Sequence, residues 1–235
     1  MSLIKRNHSR EITIKTHTNP YAHGSVIINC GNTSVHVTAC VEEDIPRWLK
    51  QKGHGWVTAE YAMLPSSTHE RIRRERKGVS GRSQEIQRLI GRSLRACVDL
   101  DKLGPRSIHV DCDVLVADGG TRTTSITGAY VALALCINKL IEEGKITESP
   151  LIEGLAAISI GINKEGKVIA DLNYEEDSSC ETDMNIVMTQ SGKFVEVQGT
   201  AEGHPFSHEQ LMALLDCAKQ TLEPIFEIQE KAIKS

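Results

Sequence analysis

Aromatic residues are scarce in this sequence, because Phe, Trp and Tyr together make up only 4% of its 235 residues. The core must therefore be built mainly from Ile, Val, Leu and Ala. A platform of stacked aromatic rings, which many proteins use to bind single-stranded nucleic acid, is not expected. Any bound nucleic acid would be held mainly through its phosphates.

The common metal and nucleophile motifs are also missing. The seven cysteines are odd in number, widely spaced and without a CxxC pair, so neither a disulfide framework nor a zinc site is expected. The nine histidines include no HExxH motif. The sequence has no GxxxxGK(S/T) P-loop, no GxSxG motif and no reactive-cysteine signature, which disfavours P-loop nucleotide binding and acyl transfer.

Long apolar runs are absent, since none approaches the roughly 18 to 20 residues that span a bilayer. The first eight residues are polar and charged and lack the apolar stretch of a signal peptide. We therefore expect a cytoplasmic protein without a membrane partner.

What is present is the composition of an ordinary globular protein, with 40% hydrophobic and 25% charged residues. No linker rich in Gly, Ser or Pro and no repeat of fixed period divides the chain. We predict one domain over residues 1–235, with two β-rich lobes at about 10–140 and 151–235.

Hydrophobic periodicity predicts two series of strands, with helices between and after them. Alternating segments predict strands at residues 11–15, 25–30, 33–41, 55–61, 107–116, 155–163, 168–174, 184–189 and 194–198. Helical spacing predicts helices at 85–98, at 125–143 and from Ser207, where Gln210 completes a capping box; Pro224 should end or kink the last helix. This order is that of an α+β fold, with helices packed on antiparallel or mixed sheets.

The net charge of −4 conceals a basic segment. Residues 71–106 contain nine Arg and two Lys against four acidic residues, a net charge of +7, so the rest of the chain carries −11. Four arginines lie close together at its start: Arg71, Arg73, Arg74 and Arg76. This run is either a loop that follows the phosphates of a nucleic acid or an ordinary charged surface loop or oligomer contact.

Residues 117–125 leave a predicted strand and enter a predicted helix, and they have the composition of an anion site. Two glycines allow the backbone to approach a ligand, the helix N-terminus offers free N–H groups, and Arg122 adds a planar guanidinium that matches a phosphate. A second helix start, at Gly81 and Arg82, has the same character. If the two helix starts converge, both arginines can bind one phosphate. The alternatives are a plain turn with an N-cap and a solvated arginine.

Five acidic residues lie between positions 175 and 183. Their carboxylates are the oxygen ligands that Mg²⁺ and Mn²⁺ prefer, while the EF-hand spacing of a calcium loop is absent. A solvated acidic turn is the alternative. An anion site combined with a carboxylate cluster is what metal-assisted phosphoryl or nucleotidyl transfer requires.

Several motifs are more specific together than any one of them alone. They are GWVTAEYAMLP at residues 55–65, GR followed by EIQRLI within 81–90, DCDVL at 111–115, DGGTRT with SITGA within 118–129, EDS with ETDMN within 176–185, and EVQGTAEG at 196–203. With them the chain resembles the ribonuclease PH family of phosphate-dependent 3′-to-5′ exoribonucleases and tRNA nucleotidyltransferases. The likeness extends from about Tyr21 to the C-terminal helix. The family's N-terminal pattern is not kept, and only Arg10 aligns with it.

The resemblance implies a two-layer fold like the second domain of ribosomal protein S5, and a homohexameric ring built as a trimer of dimers. It implies inorganic phosphate as co-substrate and RNA as partner, especially the 3′ ends of tRNA precursors, with no binding of DNA. It also implies Mg²⁺ or Mn²⁺ as the metal.

The family's phosphate-binding positions fall on four residues of this sequence: Arg82, Gly120, Thr121 and Arg122. Its essential acidic pair falls on Asp177 and Asp183, and its RNA-contacting arginines fall on Arg71 and Arg74.

The expected reaction is phosphorolysis. Phosphate attacks the last phosphodiester of the RNA with the help of Arg122 and releases a nucleoside diphosphate, in a reaction that is reversible. Asp177 and Asp183 hold the metal, although Asp183 is alternatively the acid that protonates the leaving oxygen. Two other functions remain open: a metal-dependent nuclease that uses water and releases monophosphates, and a non-catalytic RNA-binding subunit of an exonuclease ring.

Overall fold

Two five-stranded sheets form the framework of the computed structural model, which describes residues 3–49 and 53–235. In spatial order the first sheet consists of β2 (Ile12–Thr16), β3 (Gly24–Cys30), β4 (Thr33–Glu42), β6 (Ser107–Val116) and β5 (Trp56–Met63). The second consists of β1 (Ile4–Arg6), β8 (Val168–Ala170), β7 (Leu155–Ile162), β9 (Thr182–Thr189) and β10 (Phe194–Ala201).

Both sheets are mixed, because most neighbouring strands are antiparallel while β5 pairs with β6 and β1 pairs with β8 in parallel. In β4 the residues alternate between buried and partly exposed, so one face packs on the core, as period-two patterning predicts. Every residue of β7 is buried, which explains its nearly continuous apolar sequence.

A long helix, α3 (Thr121–Glu142), lies between the sheets and contacts β3, β4 and β6 of the first and β7 and β9 of the second. It is the buried central helix of the larger of two hydrophobic clusters. Its length and composition would suit a membrane span, although no uninterrupted apolar run in the sequence is long enough for one. However, 83% of its most apolar 18-residue stretch is buried inside the fold. Burial of this kind is what a core helix shows.

Two further helices precede α3. The amphipathic α1 (Gly81–Ala96) packs on β5 through its buried side chains, and the short α2 (Leu100–Leu103) follows it. Both α1 and α3 begin four residues earlier than hydrophobic spacing predicts. The additional first turns carry Gly, Ser, Thr and Arg in place of periodic apolar residues, so the spacing does not reveal them.

The C-terminal helix, α5 (His208–Ile233), covers the second sheet through contacts with β7, β8 and β9. The capping box predicted at Ser207 and Gln210 is confirmed, with both hydrogen bonds present. Of the two predicted effects of Pro224, an end or a kink, the end is wrong, because the helix continues to Ile233. Pro224 lies on the exposed face, where water can bind the carbonyl it leaves unpaired, and its neighbours Ile225 and Phe226 are buried.

A strand predicted at residues 168–174 is also shorter than expected. It ends at Ala170 because Asp171 adopts a left-handed conformation, with φ of +54°. A short helix follows, α4 (Tyr174–Ser179), which begins with a capping box between Asn173 and Glu176. The acidic segment at residues 175–183, for which a solvated turn is one alternative, is therefore partly helical.

Candidate phosphate and carboxylate site

The anion loop, residues 118–122, is formed around two glycines in left-handed conformation, with φ of +74° at Gly119 and +64° at Gly120. A Cβ on Gly119 would lie 2.5 Å from the backbone oxygen of Leu172 and 2.6 Å from the carbonyl carbon of Asn173, so no side chain fits there. No side chain caps α3, and the backbone hydrogen bond into its start runs from the Thr124 N–H to the Gly120 carbonyl. The preceding N–H groups are therefore available to an anion.

The guanidinium of Arg122 is held by one of its three nitrogens. Nη1 donates to Oε1 of Glu85 and to Oε1 of Gln198, both at 3.0 Å. Within residues 3–49 and 53–235, no hydrogen bond involves Nε or Nη2, and the side chain is 14% exposed. The planar edge formed by Nε and Nη2 is thus fixed in place and can donate to two oxygens of a ligand such as phosphate.

Tyr61 marks the place where the starts of α1 and α3 meet. Its hydroxyl donates to Oγ1 of Thr121 at 2.9 Å. Burial raises the pKa of this hydroxyl, while the cations of Arg82 and Arg122 act in the opposite direction. The exposed Arg82, second residue of α1, therefore lies close enough to the anion loop for its charge to act there.

The two predicted carboxylates lie on α4 and β9. Asp183 pairs in register with Gly161 of β7 and Thr200 of β10. Desolvation by the surrounding protein raises the pKa of Asp177, the Asp183 carboxylate raises it further, and the cations of Arg82 and Arg122 lower it. The structure thus brings two arginines and two aspartates within electrostatic range of one another.

The four arginines predicted to bind RNA are all exposed, in a segment between β5 and α1 that forms no helix or strand: Arg71, Arg73, Arg74 and Arg76. Arg73 and Arg74 line a cavity of about 750 Å³ together with Arg82 and Tyr61. Neither Arg71 nor Arg76 lines this cavity. Its wall also carries acidic residues, and burial raises the pKa of one of them, Asp111.

Arg10 holds the anion loop from the N-terminal side. Its guanidinium binds both carboxylate oxygens of Asp171, at 2.9 and 2.8 Å, and donates to the Asp118 carbonyl at 2.6 Å. Thr33 adds a hydrogen bond from its hydroxyl to the Gly119 carbonyl at 2.6 Å. Because the carbonyls on this side are occupied, the peptide units before α3 have a fixed orientation.

Two family models match the chain. The 3′ exoribonuclease family, domain 1, matches residues 8–137, and domain 2 of the same family matches residues 155–221. The chain belongs to the 3′ exoribonuclease family. The resemblance to ribonuclease PH is thereby confirmed.

Solved structures similar to this exoribonuclease-family chain include three that cover almost all of it. Rice (Oryza sativa) Rrp46 has a TM-score of 0.81 at 16% identity, covering 98% of each chain. A chain of an Archaeoglobus fulgidus exosome with RNA bound to its active site has 0.75 at 21%, covering 96% of this chain and 89% of that one. An archaeal exosome core has 0.73 at 21%, covering 97% and 88%. At these identities the likeness shows the fold, and the predicted α+β, S5-like fold class is confirmed.

The residues of this family member fit a divalent metal only in part. Among the described residues, no group of three His, Cys, Asp or Glu side chains could hold a metal ion. The Asp183 carboxylate helps to raise the pKa of Asp177, so a cation beside the pair would nevertheless favour the ionised form of Asp177. Mg²⁺ commonly takes one or two carboxylates together with water and substrate phosphates, so Asp177 and Asp183 match its needs when a phosphate is present.

Sequence reasoning assigned no role to several residues that the structure places here: Arg10, Tyr61, Glu85, Gln198 and Glu202. Glu202 contributes to raising the pKa of Asp177. Four of the five lie within the motifs at residues 55–65, 81–90 and 196–203, but a sequence motif does not show which of its side chains face a ligand. Arg10 could be suspected only from its alignment with the family pattern.

Proposed function

We propose that this protein is a phosphorolytic 3′-to-5′ exoribonuclease. The observation that carries the proposal is the convergence of Arg82, Arg122, Asp177 and Asp183 at the open N-terminus of α3. A hydrolytic nuclease needs the carboxylates but has no use for a second anion site. A site that must hold both an attacking phosphate and a scissile phosphodiester needs all four groups.

In the proposed reaction, inorganic phosphate binds the N–H groups of the anion loop, the free edge of Arg122 and the Arg82 side chain. One of its oxygens attacks the phosphorus of the terminal phosphodiester in line with the leaving 3′ oxygen. The new P–O bond forms as the bond to the 3′ oxygen breaks, which releases a nucleoside diphosphate. The shortened RNA leaves with a 3′ hydroxyl after taking up one proton.

The protein's own contribution is positioning and charge. Glu85 and Gln198 keep the Arg122 guanidinium in a single orientation, so little reorganisation is needed as charge develops in the transition state. Mg²⁺ or Mn²⁺ held by Asp177 and Asp183 would neutralise charge on the transferring group. Asp183 as the acid that protonates the leaving oxygen stays an alternative to metal ligation.

The RNA would reach this site past the exposed arginines between β5 and α1. Arg73 and Arg74, which share a cavity with Arg82, are placed to bind the backbone phosphates next to the reacting one. Arg71 and Arg76 would contact the RNA farther from the site. We propose the 3′ ends of tRNA precursors as substrates and a homohexamer, built as a trimer of dimers, as the assembly.

A non-catalytic RNA-binding subunit of an exonuclease ring is the second candidate. The similar solved structures are exosome subunits and cores, one of them with RNA at its active site, and they support a ring subunit better than they support tRNA processing in particular. Such a subunit would bind RNA and assemble, but would release no nucleotide.

The test is to incubate the protein with Mg²⁺ and a tRNA precursor that has a short 3′ extension, with and without phosphate, and to identify the nucleotide released. Diphosphates that appear only with phosphate are expected. Monophosphates in both samples would mean hydrolysis. RNA binding without release would favour the non-catalytic subunit. An Asp177→Asn variant in parallel shows whether any release depends on this site.

A further inference from the structure

A cavity of about 860 Å³ adjoins the anion loop on a part of the surface that the proposed reaction does not use. Its wall includes the end of β6 at Val116, Asp118 of the anion loop, and the start of α4 at Tyr174. Other residues that line the cavity are Asn32, Ser67, Thr68, Asn173 and Glu175.

Two large apolar side chains are exposed in this cavity. Tyr174 is 60% exposed and Val116 is 46% exposed. The ionisable residues that line the cavity are Asp118, Glu175 and His69, and none of the Lys or Arg residues that the structure describes lines it. The cavity therefore does not suit a phosphate, and it does suit a flat, uncharged group that can stack on an aromatic ring.

The polar groups in the wall match the edge of such a ring. Asn32 donates its amide to Oδ2 of Asp118 at 3.0 Å, and Asn173 accepts at Oδ1 from the Glu176 N–H at 2.9 Å. Over the described parts of the chain, this leaves Oδ1 of Asn32 as a free acceptor and the Asn173 amide nitrogen as a free donor. The Ser67 hydroxyl is also unpaired there, in a residue only 3% exposed. A heterocycle with alternating donors and acceptors can bind these groups.

Asp118 fixes the wall of the cavity in place. Besides Asn32, it accepts from the backbone N–H of Tyr174 at 3.3 Å through its other oxygen. The same loop packs at Gly119 directly against Leu172 and Asn173. On α4, Tyr174 lies three residues before Asp177, so both face the same side of the helix about one turn apart.

We infer that this cavity binds a nucleobase of the RNA, with the base stacked on Tyr174 while its sugar–phosphate backbone passes Asp177. The inference rests on the proposed function, because it requires RNA at the carboxylates. Stacking tolerates any base, so the contact adds affinity at one position of the RNA with little sequence preference.

The experiment uses the full-length protein and fluorescently labelled oligoadenylates in which one abasic ribose replaces each of the last four nucleotides in turn. Affinity is measured by anisotropy without phosphate, and KM for RNA is measured with phosphate. One abasic position should weaken wild-type binding by about fivefold or more. That position-specific loss should vanish in Tyr174→Ala and persist in Tyr174→Phe, which keeps the ring.

Tyr21→Ala is the matched control, since Tyr21 is 93% exposed and lines none of this cavity; it should behave as wild type. The inference is overturned if no position is sensitive, or if Tyr174→Ala keeps the wild-type pattern. A changed assembly size in Tyr174→Ala, without any dependence on the base, would assign the cavity to a subunit contact and also overturn it. If the position-specific loss is present but no diphosphate is released, phosphorolysis fails while the base site stands.

Discussion

Arg122 is proposed to bind phosphate and to stabilise the transition state, and its position is set by Glu85 and Gln198, which hold its guanidinium through Nη1. Arg122→Lys keeps the charge but loses the planar edge. We expect kcat to fall by about a hundredfold or more, together with weaker use of phosphate, since aligned donors of this kind contribute factors of 10² to 10³. The measurement is diphosphate release against phosphate concentration.

Arg88→Ala is the control for this change, because Arg88 is an exposed arginine on α1 outside the site. It should leave phosphate dependence unaltered. If Arg122→Lys weakens RNA affinity and leaves phosphate dependence intact, the assignment of Arg122 to phosphate is wrong.

The ionised Asp177 carboxylate is expected to be required for turnover and to lower the stability of the fold at neutral pH. Its pKa is raised above the ordinary 3.8 by desolvation and by Asp183, so the folded state holds its proton more tightly than the unfolded chain does. The ionised form at neutral pH is therefore unfavourable to folding. Asp177→Asn should abolish turnover while the thermal midpoint at pH 7 stays equal or rises, as scanning calorimetry would show. A large fall in the midpoint would instead mean that the carboxylate has a structural role.

Arg10 and Asp171 form a buried ion pair with the opposite pH behaviour. Burial acts to raise the pKa of Asp171, but the hydrogen bonds and charge of Arg10 outweigh it, so the pKa lies below the ordinary 3.8. The pair therefore stabilises the fold above about pH 4, and this contribution is lost as the pH falls through the lower folded-state value.

Arg10→Met would leave a carboxylate that is 1% exposed without its partner, and should destabilise the fold by about 3 to 5 kcal/mol at pH 7. Because the Asp171 pKa then rises, the deficit should shrink at pH 4. Urea unfolding at both pH values measures the two effects. The double variant Arg10→Met/Asp171→Asn should recover much of the loss, and no recovery would count against the pairing.

At the scale of elements, the start of α3 depends on a close approach between two loops. Gly119→Ala would combine a positive φ of +74° with a Cβ placed 2.5 Å from the Leu172 oxygen. Gly166→Ala is a matched control, because its φ is +71° but nothing lies within 4 Å of its Cβ. Gly166→Ala should cost only about 1 kcal/mol of backbone strain. Gly119→Ala should cost clearly more in urea unfolding and should weaken phosphate binding; equal costs would mean that the approach is unimportant.

The elements also show what the sequence can and cannot predict. Hydrophobic periodicity predicts the strands β3, β4 and β6 and the body of α3. Most of their buried positions are occupied by apolar residues, at a spacing typical of a strand or of a helix. Periodicity does not predict α4, because a six-residue acidic helix with no buried residue has no apolar pattern. Its start depends instead on the capping box at Asn173, a signal weak enough to be passed over.

The candidate site divides in the same way. The residues proposed to bind a ligand, such as Arg122 and Asp177, lie in motifs whose composition indicates anion and metal chemistry. The residues that hold them in place act over long separations in the chain, such as Gln198 on Arg122 and Asp171 on Arg10. Contacts of this kind exist only after folding, so no local pattern predicts them.

At the scale of the whole molecule, the charge is distributed so that RNA should bind at one place. The region 71–106 carries +7 on a chain whose net charge is −4. Arg74→Ala should weaken RNA binding and reduce the slope of log K against log salt by about 0.7, the value for one phosphate contact with a single strand. Lys231→Ala, which removes one charge from the exposed side of α5, should leave the slope unchanged. Equal slopes for all three proteins would mean that Arg74 does not contact RNA.

The hydrogen bond from Arg10 to the Asp118 carbonyl joins positions 108 residues apart. The ordering of the anion loop is therefore coupled to the ordering of the segment that connects β1 with β2. Whatever orders one of them favours the ordered form of the other, and the coupling is reciprocal by thermodynamic necessity. A bound anion would then protect the N-terminal segment from proteases. A chain whose truncation removes Arg10 should bind phosphate more weakly than one that begins at Arg10.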